Sequence, residues 1–315
     1  MESLEWTGGL PAWGAAFFIT VAALCGASLA SFANVVIYRV PLDMSISWPP
    51  SACPSCGHRI RWFENIPILS FLALRGRCAS CSVRISPRYP LVELMGAAWG
   101  LVLGARWLWP TLKWPELWAE EPSTLYPLIG AWALSLIFVT ALIAVAYIDL
   151  EYTFIPDEIT LPVSLLGVWG SFTLATWLPS FQPLDALFGA LTGWLLIVVI
   201  REAAYLYYRR EAMGLGDAKL LMMIGAFLGW QALPLILLAA SLQGVAAALL
   251  ALLYSRVTGE RNELTMTARE LDERFGEGSD EQPLEGDELL AIPFGPFLAL
   301  SAFELLAIGP KLFSW

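Results

Sequence analysis

Four cysteines stand in two pairs, Cys53-Pro-Ser-Cys56 and Cys78-Ala-Ser-Cys81, with 21 residues between them. A Cys-x-x-Cys turn can aim two thiolates at one ion, and two such knuckles complete a tetrahedral four-cysteine zinc site of the ribbon type. Four sulfur ligands leave no open coordination position, so zinc held this way is structural and staples a loop too small to fold on its own core. Two redox dithiols or a pair of disulfides are the competing readings. A reducing cytoplasm disfavours stable disulfides, and neither pair lies in a thioredoxin-like βαβ pattern. His58, two residues past Cys56, reads as a solvated loop histidine, with a replacement ligand as the alternative. Cys25 lies in an apolar run and reads as a buried apolar residue.

A second set of reactive groups consists of carboxylates at or inside apolar runs, where charge is costly: Glu93, Asp149, Asp157, Asp217 and Glu304. Asp149 ends one run in Ile148-Asp149-Leu-Glu, and Asp217 opens another in Gly214-Leu-Gly216-Asp217-Ala-Lys219. Two carboxylates brought close cannot both ionise, so one acts as base on a water while its protonated partner polarises a peptide carbonyl. That is aspartyl-protease chemistry. The glycines around Leu215 predict backbone with φ > 0 and a close approach. Each aspartate also has a plainer reading: Asp217 as a helix N-cap, Asp149 as a solvated span terminus. Their shared membrane face and the Gly-x-Gly before Asp217 favour the dyad. Asp157, after Pro156, reads as an N-cap. Glu93, about one turn inside its run, snorkels, pairs with a loop arginine, or lines a second site. Glu304 lies deeper, with Gln243 or Asn34 as partners across the bundle.

These residues need a scaffold, and composition says which. The chain of 315 residues is 57% hydrophobic and 15% charged, with mean hydropathy +0.64. Soluble chains carry about a quarter charged residues, so this is a polytopic membrane protein. Apolar runs near 14–38, 91–108, 127–148, 159–178, 184–206, 218–232, 233–255 and 291–312 predict an all-α protein of about eight transmembrane helices, with a small cytoplasmic zinc-ribbon-like domain. Pro234 separates the sixth and seventh; one bent helix over 218–255 would leave seven. Arg39, Arg59, Arg61, Arg75, Arg77, Arg84 and Arg88 put the first loop in the cytoplasm, and alternation then gathers 15 Lys and Arg inside, leaving Arg106, Lys113 and Lys311 outside. Residues before the first run include Glu2 and Glu5 and no base, so that run reads as a reverse signal-anchor. Trp13, Trp107, Trp109, Trp114, Trp118, Trp177 and Trp230 fall at the outer ends, as an aromatic belt would.

Net charge is −10, which argues against a nucleic-acid binder. Most of it is local: segment 257–290 has eleven acids against three arginines, a net −8, and reads as a solvated cytoplasmic linker.

Taken together, the motifs resemble the type IV prepilin peptidases. They are Gly26-Ala-Ser-Leu-Ala-Ser-Phe-Ala-Asn34 through Arg39-Val-Pro41, the paired knuckles, Glu64-Asn65-Ile-Pro67, Leu74-Arg-Gly-Arg-Cys78, Ser86-Pro-Arg-Tyr-Pro-Leu-Val-Glu93, Ile148-Asp149 with Ile155-Pro156-Asp157, Gly214-Leu-Gly-Asp217-Ala-Lys219 and Ile292-Pro-Phe-Gly-Pro-Phe297. The resemblance implies a bacterial inner-membrane enzyme that removes the leader of type IV prepilins or pseudopilins at the cytoplasmic face. It further implies N-methylation of the new N-terminal residue with S-adenosylmethionine. It carries the peptidase aspartates onto Asp149 and Asp217, links the zinc loop to methyl transfer, and leaves Asn34, Arg39 and Glu93 as candidates near the methyl donor. The implied domains are a first transmembrane helix at 1–38, a cytoplasmic zinc-binding loop domain with its four cysteines at 39–90, and a transmembrane aspartyl peptidase core at 91–315 carrying the acidic loop 257–290. A presenilin-like intramembrane aspartyl protease would share Gly-x-Gly-Asp without explaining the knuckles. A transporter or scaffold with a zinc-ribbon dock would use the aspartates as a proton relay.

Overall fold

Backbone N–H and C=O groups have no water to bond in hydrocarbon, so apolar runs of Leu, Ala, Val and Ile satisfy them internally as helices. A computed structural model describes residues 12–108, 125–176, 178, 182–208, 214–258 and 293–308. Its long helices are α1 (Ala12–Arg39), α3 (Arg88–Trp107), α4 (Leu125–Tyr152), α5 (Asp157–Leu174), α6 (Pro183–Tyr208), α7 (Leu215–Leu228), α8 (Leu233–Thr258) and α9 (Gly295–Ile308), with a short α2 (Leu69–Ala73) in the loop after α1. All eight apolar runs thus contain a helix. Four of them, α1, α4, α6 and α8, are long and apolar enough to cross a membrane. Trp109, Trp114, Trp118, Trp177, the side chain of Trp13 and nearly all of the acidic loop lie outside the described residues.

α4 is the central helix: half of its apolar window is buried, against 17% for that of α8. It serves two cores from opposite faces. Phe138, Leu142 and Val145 meet α7, α8 and α9. Val139, Ile143 and Ile148 meet α1 and α3. Phe138 stacks flat on Phe227 of α7, with ring centroids 4.3 Å apart. Trp107 Nε1 and Trp132 Nε1 tie α3 to α4 through Ser135 Oγ at 3.2 Å and the Gly100 carbonyl at 3.4 Å.

Two pairs of helices touch backbone to backbone. A Cβ added at Gly26 of α1 would stand 2.1 Å from the Gly96 carbonyl oxygen of α3, and one at Gly225 of α7 would stand 2.1 Å from that of Gly189 in α6. Small residues permit such contact, and in a bilayer close packing rather than the hydrophobic effect drives helix association.

The break between the sixth and seventh runs occurs at Gly229, whose φ is +76, followed by a 3-10 turn over Trp230–Ala232. Pro234 is not the breaker, as the sequence had suggested. It stands in the first turn of α8, where its missing N–H costs nothing.

Gly225→Val should therefore force α6 and α7 apart and destabilise the protein by about 1–3 kcal/mol, seen as a lower thermal midpoint in detergent. Gly214→Ala, where an added Cβ meets nothing closer than 3.8 Å, should leave the midpoint unchanged.

Candidate functional site

Three segments meet at one end of α4. Asp149, in the last turn of α4, is 5% exposed, so it is no solvated terminus. Its Oδ2 accepts the N–H of Gly295, the first residue of α9, at 3.0 Å. The N-terminus of a helix presents free N–H groups and a partial positive charge, which suits a carboxylate. Only glycine fits there, because a Cβ on Gly295 would lie 2.5 Å from that same oxygen.

Asp217 arrives from the other side. The cap of α7 is Gly214, without a side-chain hydrogen bond, and Asp217 is the third helical residue rather than an N-cap. Neither Gly214 nor Gly216 has positive φ: Gly214 is at −73°, and Gly216 is absent from the left-handed glycines. Gly216 is needed for space instead, since a Cβ there would lie 2.9 Å from Ile155 Cβ. The same Ile155 side chain lies 3.2 Å from a Cβ built on Gly295, so one isoleucine walls both approaches. Ile155 thereby brings the start of α7 to the start of α9, where Asp149 is bonded.

The neighbouring acids are neutralised. Asp157 is not an N-cap either; it lies in the first turn of α5, and both its oxygens accept from Lys219 Nζ at 2.5 and 2.7 Å. Glu151 is bonded by Arg88 Nη1 through both oxygens. Glu304 accepts from Gln243 Nε2 at 2.8 Å, so of its two foreseen partners it takes Gln243 and not Asn34.

The cysteines converge as well. All four Sγ atoms lie within 4.8 Å of one another. Cys53 and Cys81 are 3.9 Å apart, Cys56 and Cys78 4.0 Å. A disulfide needs about 2.05 Å, whereas a tetrahedron with Zn–S bonds of about 2.3 Å has sulfur–sulfur edges of about 3.8 Å. The donor set fits a zinc ion. The two knuckles share one backbone plan. The Cys53 N–H bonds the His58 carbonyl, and the Cys78 N–H the Val83 carbonyl, both at 2.9 Å. The residues after each pair, Gly57 and Ser82, have φ of +69 and +59. Turn N–H groups of Ser55 and Cys56 hold the Cys53 thiol down at about 7, and those of Cys81 and Ser80 lower Cys78. His58 departs from its expectation as a solvated residue: it is partly covered, and its Nε2 lies 3.1 Å from Glu64 Oε2, outside the cysteine cluster.

Beside the cluster is a cavity of about 570 Å³ lined by Asn34, Arg39, Cys53, Cys78, Tyr89 and Glu93 among others. The three residues proposed for the methyl donor therefore border a single space. Arg39 donates to the carbonyls of Ser45 at 2.8 Å and Pro49 at 2.6 Å, which folds the start of the cysteine segment over α1. Asn34 Nδ2 donates to the Tyr89 carbonyl at 3.1 Å. Glu93 Oε2 accepts the Ile68 N–H at 2.7 Å. Ile68 has φ +64 and ψ −49, and Leu69 N–H reaches the Pro67 carbonyl at 2.6 Å, the rare γ-turn. Neither Gly295 nor Ile68 was singled out from the sequence. The Pro-Phe-Gly-Pro run before α9 and Asn65-Ile-Pro67 before α2 were the available signals.

Known proteins resemble this chain over nearly its whole length. Residues 24–107 match the bacterial peptidase A24 N-terminal domain, and residues 136–249 match the type IV leader peptidase family. A prepilin leader peptidase/N-methyltransferase of Myxococcus xanthus (strain DK1622) is 38% identical, covering 94% of this chain and 91% of its own. Those of Pseudomonas putida (34% identical; 95% and 93% covered) and Aeromonas salmonicida (33%; 99% and 97%) carry the same description. No solved structure matches. These likenesses do not favour the presenilin-like or transporter alternatives.

Proposed function

We propose a function from one premise, that this chain belongs to the type IV leader peptidase family. It is a prepilin leader peptidase and N-methyltransferase of the bacterial inner membrane, acting on type IV prepilins or pseudopilins. The observation that supports the peptidase assignment is that Gly216, next to Asp217, and Gly295, bonded to Asp149, both pack on Ile155, although Asp149 and Asp217 stand 68 positions apart. In this reading Asp149, whose Oδ2 already accepts the Gly295 N–H, takes the role of base toward a water, and Asp217 takes the role of acid toward the scissile carbonyl. Asp157 and Glu151 are tied up by Lys219 and Arg88, whereas no cation bonds Asp149 or Asp217 among the described residues.

The dyad lies at the cytoplasmic rim of an eight-span bundle with its N-terminus outside. The substrate's leader helix enters between spans from the lipid. The arginine-rich segment 39–90 forms a cytoplasmic domain around a structural zinc on Cys53, Cys56, Cys78 and Cys81, supported by the sulfur spacing. The remaining membrane portion, 91–315, is the peptidase core.

The cavity is where methyl transfer takes place. Its volume lies within the roughly 300–1,000 Å³ of small-molecule sites. S-adenosylmethionine supplies an electrophilic methyl group when bound. Arg39, Asn34 and Glu93 would contact it or the peptide. Glu93 and Asn34 also anchor the walls, one to Ile68 and the other to Tyr89.

Asp149→Asn and Asp217→Asn should each lower leader removal at least 1,000-fold, the order expected when half of an acid–base pair is lost, with zinc content unchanged. Robust cleavage by either variant, read as a gel shift of a prepilin, rejects the dyad. Gly295→Ala should cost at least tenfold in cleavage with methylation of a precleaved peptide intact, since its methyl crowds Asp149 and, less severely, Ile155, neither of which lines the cavity; equal loss of both would point to misfolding. Cys→Ser at any of the four thiols should release zinc, measured by metal analysis, and impair methylation more than cleavage. Acidification should release zinc in the wild type, because protons compete for the thiolates.

A further inference from the structure

We propose that Asn34, with Glu93, binds the free α-amine of the cleaved peptide and points its lone pair at the methyl donor, an acceptor subsite at the membrane-side floor of the cavity. This rests on the methyl-transfer reading of that cavity.

The starting observation is a single atom. Asn34 is 2% exposed, and its Oδ1 is buried with no hydrogen-bond partner among the described residues. Its orientation is fixed by chemistry: the group facing the Tyr89 carbonyl must be a donor, so it is Nδ2, and the other amide atom is an acceptor. A buried acceptor left without a donor costs about 1–3 kcal/mol, so the site calls for an N–H or O–H, from a ligand or from a water that a ligand replaces.

The second acceptor is nearby. The Tyr89 carbonyl that Asn34 bonds lies four residues, one turn of α3, before Glu93. Glu93 spends Oε2 on the Ile68 N–H, while its Oε1 takes no bond among the described residues. Asn34 and Glu93 come from the membrane helices α1 and α3, whereas most of the cavity wall comes from the cysteine segment. A peptide cut at the rim and still anchored in lipid presents its amine from the membrane side. A water-soluble donor enters from the other side.

Two acceptors match the two N–H bonds of a neutral primary amine. With Cα in the third tetrahedral position, the lone pair is left in the fourth. The nitrogen forms a bond to the methyl carbon, the carbon–sulfur bond breaks with its electrons going to sulfur, and the nitrogen, now positively charged, passes one proton to water. Glu93 offsets the charge that appears on nitrogen. Asn34 carries none and holds no proton.

The test uses full-length, zinc-loaded protein in detergent and a precleaved peptide carrying a free α-amine, beside the same peptide with that amine replaced by hydrogen. Wild type should bind the amine form about tenfold more tightly. Asn34→Ala should erase the preference and lower methylation chiefly through the KM for the peptide, with S-adenosylmethionine affinity within twofold of wild type and leader cleavage showing that it is folded. Equal binding of the two peptides by wild type, a measurement that needs no variant, overturns the subsite. So does Asn34→Ala losing S-adenosylmethionine binding while keeping the amine preference, which would assign the orphan oxygen to the donor. If Asn34→Ala and Glu93→Leu change neither ligand's binding, the cavity is not the methylation site and the parent reading fails.

Discussion

One hydrogen bond organises the protease half of this protein: the Gly295 N–H on Asp149 Oδ2 at 3.0 Å. A carboxylate that is 5% exposed at the end of a membrane helix needs compensation. Here it comes from the start of α9 rather than from a cation. That choice dictates much else. α9 must begin at a glycine, because any side chain would collide with the oxygen it serves. α9 must pack on α4, and α7 must reach the same point with Gly216 against Ile155. A cation would have satisfied Asp149 too, but its long side chain would have needed room at a point already filled by α7 and α9. Cations go instead to the acids on either side, Arg88 to Glu151 and Lys219 to Asp157.

The same solution recurs at the cavity. Glu93, also nearly buried, is met by a backbone N–H, this time from a γ-turn at Ile68. A β-branched residue at φ +64 is costly. The contact with Glu93 and the short bond from Leu69 to Pro67 stabilise it. The strained turn belongs to the segment between the two cysteine pairs, so the cysteine cluster and Glu93 constrain one loop from its two sides.

How much of this was readable from the sequence depends on how much a residue's type says without its neighbours. Asp149 and Asp217 stood out because acids at the ends of apolar runs are costly and few, and the knuckles because their spacing suits one metal, and the four sulfurs do converge. Each of the eight apolar runs holds a helix because its backbone can be satisfied only internally, and four of those helices are long and apolar enough to cross a membrane. Local roles were not legible in this way. Asp157 read as a cap, and a cap was the plainer alternative for Asp217, yet α7 is capped by Gly214 and Asp157 faces Lys219, a choice made by the packing of α5 on α7. Gly216 suggested left-handed backbone, but its value is an absent Cβ beside Ile155. Gly295 and Ile68 contribute backbone N–H groups, which every non-proline residue carries, so nothing in their side chains marks them. Small residues repeated every fourth position, as in Gly96, Gly100 and Gly104, did announce the close α1–α3 contact, although it was not read from them.

The two chemistries are linked by the frame that separates them. Arg88, the first residue of α3, is bonded to Glu151, two positions past Asp149, while its neighbour Tyr89 lines the cavity. α3 is fixed to α1 by backbone contact at Gly26 and Gly96 and to α4 by Trp107 and Trp132. The path from the dyad to the cavity therefore runs along a stiff edge of helix ends. Among the described residues, Asp149 and Asp217 draw no hydrogen bond from the cysteine segment, whereas the cavity has that segment for most of its wall. Loosening the segment thus deforms the cavity wall and leaves the contacts of Asp149 in place. Two activities on one substrate can therefore rest on parts of one frame that loosen separately.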